Sequence, residues 1–143
     1  MDLSKILSIS GKGGLFKIIS QAKNAVIVES LLDGKRYPAF SHDKISSLEE
    51  ISVFSTGDDI PLKEIFRSIF IKLEGKAAPD YRNDSKALKS FFQEMVPEYD
   101  KERVYISDMK KMVIWYNLLL SHHLIDNEDN KPVADNPETI ETD

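Results

Sequence analysis

The chain of 143 residues has no cysteine. That excludes disulfides, thiolate zinc sites and a cysteine nucleophile, and it suits a reducing compartment. Nor is there a long hydrophobic run. The longest apolar stretch is Met112–Tyr116, against the roughly 20 residues needed to span a bilayer. Met1 to Ser10 lacks a basic segment followed by a continuous apolar core, so it does not read as a secretory signal. There is no internal repeat, no G-x-S-x-G, no H-E-x-x-H and no nucleotide fingerprint. These absences point to a cytoplasmic protein without membrane association, and they count against an enzyme.

A large charge of one sign is also missing from most of the chain. The formal charge is −5, but residues 126–143 hold seven acids and one base, a net of −6. The remaining 125 residues carry 18 bases and 17 acids, a net of +1. A nearly neutral body gives bulk charge no voice for or against nucleic acid. The acidic tail, with Pro132 and Pro137 and few large apolar residues, reads as disordered.

The remaining sequence changes grammar near Ile60. Before it, short apolar segments alternate with turns. Asp2 can cap a short helical turn carrying Leu3, Ile6 and Leu7 at i, i+3 and i+4. Leu15–Ile19 reads as a strand. Asn24–Leu32 reads as the strongest strand, joined through Asp33-Gly34, a type I′ hairpin signal, to Lys35–Phe40. Pro38 cannot donate to a ladder and places that strand at an edge or a bulge. Ser41–Glu50 reads as a turn region and Ile51–Phe54 as a fourth strand. After Ile60 the period becomes helical. Leu62, Ile65, Phe66, Ile69, Phe70 and Leu73 form one stripe behind Pro61, stopped by Gly75. Asp84 or Ser85 opens a second helix carrying Leu88, Phe91, Phe92 and Met95. Ser107 or Asp108 opens a third, apolar over so wide an arc that it is either central in its bundle or half exposed for a partner.

The expected architecture is therefore α+β. A small SH3-like β-barrel, or a curved antiparallel sheet, is followed by a helical module. The expected units are a β module with closing helix at 1–75, a linker at 76–83, a helical module at 84–125 and the acidic tail at 126–143. Each half has about 60 residues, too few for a comfortable separate core, so the halves should pack on each other or on a partner.

Chemistry-bearing motifs mostly resolve into structure. Gly11-Lys12-Gly13-Gly14 lacks the Ser or Thr after its lysine, the preceding strand and the following helix that a phosphate loop requires, and reads as a tight turn. His122 and His123 are sequence neighbours, which do not face one another on a helix. They suit a solvated helix C-terminus better than a metal site shared with Asp126. The acid pairs Glu49-Glu50 and Asp58-Asp59 read as solvated turns. No cofactor is implied.

Two surfaces remain as candidates. Lys17, Lys35 and Arg36 lie on or beside the strands with Tyr37 among them, a basic and aromatic combination that small barrels use for single-stranded nucleic acid. Trp115 and Tyr116 on the third helix are residue types common as interface anchors, and equally common in small cores. An unidentified protein partner is the favoured reading, with RNA or single-stranded DNA as the alternative and an unrecognised ligand pocket third.

The segments Asp2–Lys12, Gly14-Leu15-Phe16-Lys17, Lys44–Glu49 and Pro61-Leu62-Lys63-Glu64 together resemble a bacterial family that is itself a domain of unknown function. Val104–Lys111 and Trp115-Tyr116-Asn117 resemble its companion domain. The resemblance spans about residues 1–125 and implies a soluble, intracellular, two-module protein. It brings no activity, cofactor or functional residue with it.

Overall fold

Neighbouring side chains on a strand point to opposite faces of the sheet, and this chain buries both faces. The structure, a computed structural model, describes residues 2–81 and 83–125. The acidic tail expected at 126–143 lies outside the described residues. Strands β1 (Ile6–Ile9), β2 (Phe16–Gln21), β3 (Ala25–Ser30), β4 (Arg36–Phe40) and β5 (Ile45–Ser47) form one antiparallel sheet in the order β4-β3-β2-β1-β5. Ile6 faces a core shared with the helices, while its neighbour Leu7 faces a second core held within the sheet. Leu15 and Phe16 divide in the same way.

The inner core consists of Leu7, Ile9, Phe16, Val28 and Ala39. The sheet curls around it, helped by a register shift between Ile18 and Ser20 that marks a bulge in β2 and adds local twist. The curl does not close. β4 and β5 are the two edges of the sheet, so the SH3-like barrel is not formed and the curved open sheet is. The reason is visible at the edges. β4 carries Pro38, which has no N–H to offer, and β5 is only three residues long.

Three further expectations are corrected. Asp2 does accept from the Ser4 N–H at 2.9 Å and Ile6 N–H closes one turn on the Leu3 carbonyl at 3.1 Å, but no helical stripe follows to Leu7; Ile6 begins a strand, paired with β2 and followed by residues paired with β5. Ile45–Ser47, expected as turn, is that flanking strand. The β3–β4 hairpin occurs as expected, but not through a two-residue type I′ turn. Leu31–Gly34 loops between Ser30 and Lys35, whose backbones are bonded at 2.9 Å, and only Gly34 has positive φ in it. The longer loop lets Leu31 bury in the helix core.

A 3₁₀ turn at Leu48–Glu50 and a two-strand ribbon, β6 (Ser52–Val53) with β7 (Ile60–Pro61), lead into the helices. Helix α1 (Leu62–Lys72) buries Leu62, Ile65, Phe66 and Ile69. It ends where Gly75, at φ 80°, donates its N–H to the Phe70 carbonyl at 2.9 Å, a glycine termination. Helix α2 (Ser85–Met95) is capped by the Asp84 carboxylate, which accepts from Ala87 N–H at 3.0 Å. Helix α3 (Ile106–Ser121) begins with Asp108 accepting from the Tyr105 N–H at 3.0 Å. It buries more residues than α1 or α2: Met109, Met112, Val113, Trp115, Tyr116 and Leu119. No helix among the described residues is long and apolar enough to cross a membrane.

The helix layer reaches the sheet through Leu3, Ile6, Leu15, Leu31 and Leu48, all in the same core as α1, α2 and α3. The segment between α1 and α2 is pinned rather than loose. The Tyr116 hydroxyl donates to the Lys76 carbonyl at 2.9 Å. The Asn117 amide brackets Ala78, accepting from its N–H at 2.8 Å and donating to its carbonyl at 3.1 Å.

Candidate functional site

The β-sheet candidates do not form one surface. Cross-strand register places Lys17 opposite Glu29, and Glu29 opposite Arg36. The three form a row on one face, with Arg36 Nε paired to Glu29 at 3.2 Å. An acid thus sits between two bases. Tyr37 lies opposite Val28, on the other face, where its ring meets Phe16 edge-on with centroids 6.4 Å apart. Its hydroxyl donates to Asp33 at 3.0 Å, and that bond to a carboxylate raises the phenol above its ordinary pKa. Tyr37 shares a small cavity of about 240 Å³ with Lys12 and Asp33. Lys35 is exposed in the hairpin loop. The pleat separates the aromatic from the bases that sequence proximity had grouped with it.

Trp115 and Tyr116 are not surface residues. They are 7% and 0% exposed, since each packs within the core shared by the helices and the sheet. Burial pushes the Tyr116 phenol up to about 12. Of the residues that widen the apolar arc of this helix, Ile114 is the exposed one, at 44%.

Ile114 edges a cavity beside α3. This groove, about 460 Å³, is lined on the α3 side by Lys110, Val113, Ile114, Asn117 and Leu118. Ala78, Pro79, Asp80 and Tyr81 line its other wall, and Leu32 from the β3–β4 loop overhangs it. Leu32 is 61% exposed. Its position depends on Gly14. At φ 76°, Gly14 lies so near that a Cβ built there would stand 2.6 Å from Leu32 Cδ1 and 3.6 Å from Leu118 Cδ1. The glycine loop serves close packing, in line with its reading as a turn. Nearby, His122 Nε2 lies 2.8 Å from the Leu31 carbonyl, tying the end of α3 to the same loop.

On the opposite side of α3 a second cavity, about 270 Å³, has Trp115 and Met112 in its wall, with Lys111, Asp108 and Arg103 beside them. Phe54, 44% exposed, forms another part of the wall. The Arg103 guanidinium sits over the Phe54 ring at 4.3 Å and bonds Asp100 at 2.8 Å. Among the described residues no group of three or more His, Asp or Glu is placed to hold a metal ion.

Comparison with known proteins gives family but no activity. Residues 3–48 match Domain of unknown function DUF5606, and residues 51–119 match Domain of unknown function DUF6852. No curated protein matches the chain. A solution NMR structure of a Bacteroides vulgatus protein, a Northeast Structural Genomics Consortium target, is 40% identical, with a TM-score of 0.70. The match covers 87% of this chain and 90% of that one.

Proposed function

The chain belongs to the family that pairs DUF5606 with DUF6852, and we propose that it is a non-enzymatic, cytoplasmic adaptor that binds another protein in the groove between Leu32 and Ile114. The observation that carries this reading is the exposure of those two large aliphatic side chains on the two walls of one cavity. Isolated exposed apolar residues are ordinary, but apolar residues converging on a shared concavity suit insertion of a partner side chain. The wall opposite α3 is held by the Asn117 bracket on Ala78, so the groove is preformed and little ordering cost opposes binding.

The test is a pull-down from host lysate with the tagged full chain, run with and without nuclease. Leu32→Asp and Ile114→Glu are compared with the unsubstituted protein at matched folding. A protein captured after nuclease treatment and lost with both substitutions is the expected result. Recovery of RNA whose binding falls steeply with salt and with Lys17→Glu or Arg36→Glu, but not with Leu32→Asp, would overturn it.

A further inference from the structure

The two cavities share α3 as a wall, and the two lysines on it form no ion pair among the described residues. Lys110 lines the groove and Lys111, the next residue, lines the second cavity. Every basic residue of α1 has a carboxylate partner: Lys63 with Glu49, Arg67 with Glu64 and Lys72 with Glu94. Lys110 and Lys111 have none among the described residues. The acid nearest them in sequence, Asp108, accepts the Tyr105 N–H and makes no ion pair with either lysine among the described residues. Asp80 across the groove already has an interaction of its own. The exposed ridge of α3 is thus two adjacent cations followed one turn later by Ile114.

Apolar surface lies on both sides of this ridge. Of the six exposed large hydrophobic side chains among the described residues, Leu32 and Ile114 edge one cavity and Phe54 the other. A segment lying across α3 would meet an apolar pocket, then two lysines, then a second apolar pocket. With side chains a helix is about 10–12 Å across, and an extended chain advances about 3.3 Å per residue. The two anchors would therefore be three or four residues apart.

We infer that the partner contributes a short acidic linear segment of the form apolar, acidic, acidic, apolar, which crosses α3 with its anchors in the two cavities and its carboxylates on Lys110 and Lys111. This rests on the protein-binding reading above and specifies its ligand. The lysine pair supplies charge selection, and the cavities supply contact area.

The probe is a randomised 12-residue peptide library selected on the full-length protein, followed by fluorescence anisotropy of the enriched sequences. Enriched peptides should carry acids between two large apolar residues spaced by three or four positions. Lys110→Glu with Lys111→Glu should weaken them at least tenfold, and replacing the peptide acids by lysine should restore binding to that variant. Ile114→Asp should weaken the original peptides to a similar extent. Peptides that need Leu32 and Ile114 but ignore the lysines would overturn this inference and leave the protein-binding reading standing. Peptides indifferent to Leu32, Ile114 and the lysines alike would overturn both. Two other occupants are separable by measurement on the full chain. A dimer in light scattering that Ile114→Asp dissolves would assign the ridge to a second copy. Shifts at the Lys110–Ile114 amides on neutralising the seven acids of 126–143 would assign it to the chain's own tail. Either result would overturn the inference.

Discussion

Two buried tyrosines make opposite predictions for the same substitution. Tyr99 and Tyr116 are both essentially inaccessible. The Tyr116 hydroxyl donates to the Lys76 carbonyl, whereas the Tyr99 hydroxyl has no hydrogen-bond partner among the described residues. Tyr99 is held instead by its ring, which meets Phe92 edge-on at 5.0 Å. Phenylalanine keeps the ring in both cases. At Tyr116 it deletes a bond worth about 1 kcal/mol net. At Tyr99 it deletes a hydroxyl that folding strips of water without compensation, so it should stabilise by about 1 kcal/mol. The gap of about 2 kcal/mol corresponds to roughly 6 °C in melting temperature for a chain of this size. Urea denaturation read by circular dichroism should show Tyr99→Phe with a higher midpoint and Tyr116→Phe with a lower one, at unchanged slope. Alkali adds a second readout. The folded Tyr116 phenol titrates at about 12 rather than its ordinary 10. The unfolded chain therefore loses this proton first, so stability is intact below pH 10 and declines as pH rises from 10 to 12. A shift of that size corresponds to about 2–3 kcal/mol at most. Tyr116→Phe should remove that part of the decline. Burial raises Tyr81 as well, so the difference between variant and unsubstituted protein is the quantity to read. A Tyr99→Phe variant as destabilised as Tyr116→Phe would refute the contrast. An alkaline slope unchanged by Tyr116→Phe would refute the assignment of the titration.

Gly14→Ala should destabilise by about 2 kcal/mol, from its left-handed backbone and the crowding against Leu32. Gly11→Ala, also at positive φ but with open space around it, should cost about 1 kcal/mol, and comparing the two melting curves isolates the steric part. Asn117→Leu should cost about 2–3 kcal/mol by leaving both polar groups of buried Ala78 without their bonds. Faster amide exchange at Ala78, at or beyond the global loss of stability, is the accompanying signature. Asp84→Ala should cost about 1 kcal/mol through loss of the α2 cap, while Asp84→Asn retains most of it by thermal denaturation.

The helical half was largely legible because a 3.6-residue period over a dozen residues has few competing explanations. Gly75 and Asp84 marked ends that the structure places within a few residues. The β half was less legible where segments were short. Ile6-Leu7 with Leu3 fits a helical stripe as well as a strand. Only the existence of two cores, unknowable from local pattern, decides for the strand. Ile45–Ser47 carries one apolar residue and offers no period at all. The candidate surfaces failed for different reasons. Tyr37 parts from Arg36 because adjacent strand residues face opposite ways, and that was computable once the strand was accepted. Trp115 and Tyr116 carried the residue-type signal for an interface, but position on the buried face of α3 outweighed type. Ile114 was signalled only as part of the wide apolar arc of the third helix, and Leu32 not at all, since nothing local reveals that a hairpin loop overhangs a helix.

The division of the chain into two family domains has a physical counterpart that runs the other way. The boundary between them falls at 48–51, yet Leu3, Ile6, Leu15, Leu31 and Leu48 from the first share one buried cluster with the helices of the second. A curled sheet cut free at that boundary would present five leucine and isoleucine side chains to water along one face. The helices would lose the lid over their own. Evolution can therefore reassort neither half without inventing a replacement surface, so the two families should travel through genomes as a single heritable unit, diverging together in the residues where they meet.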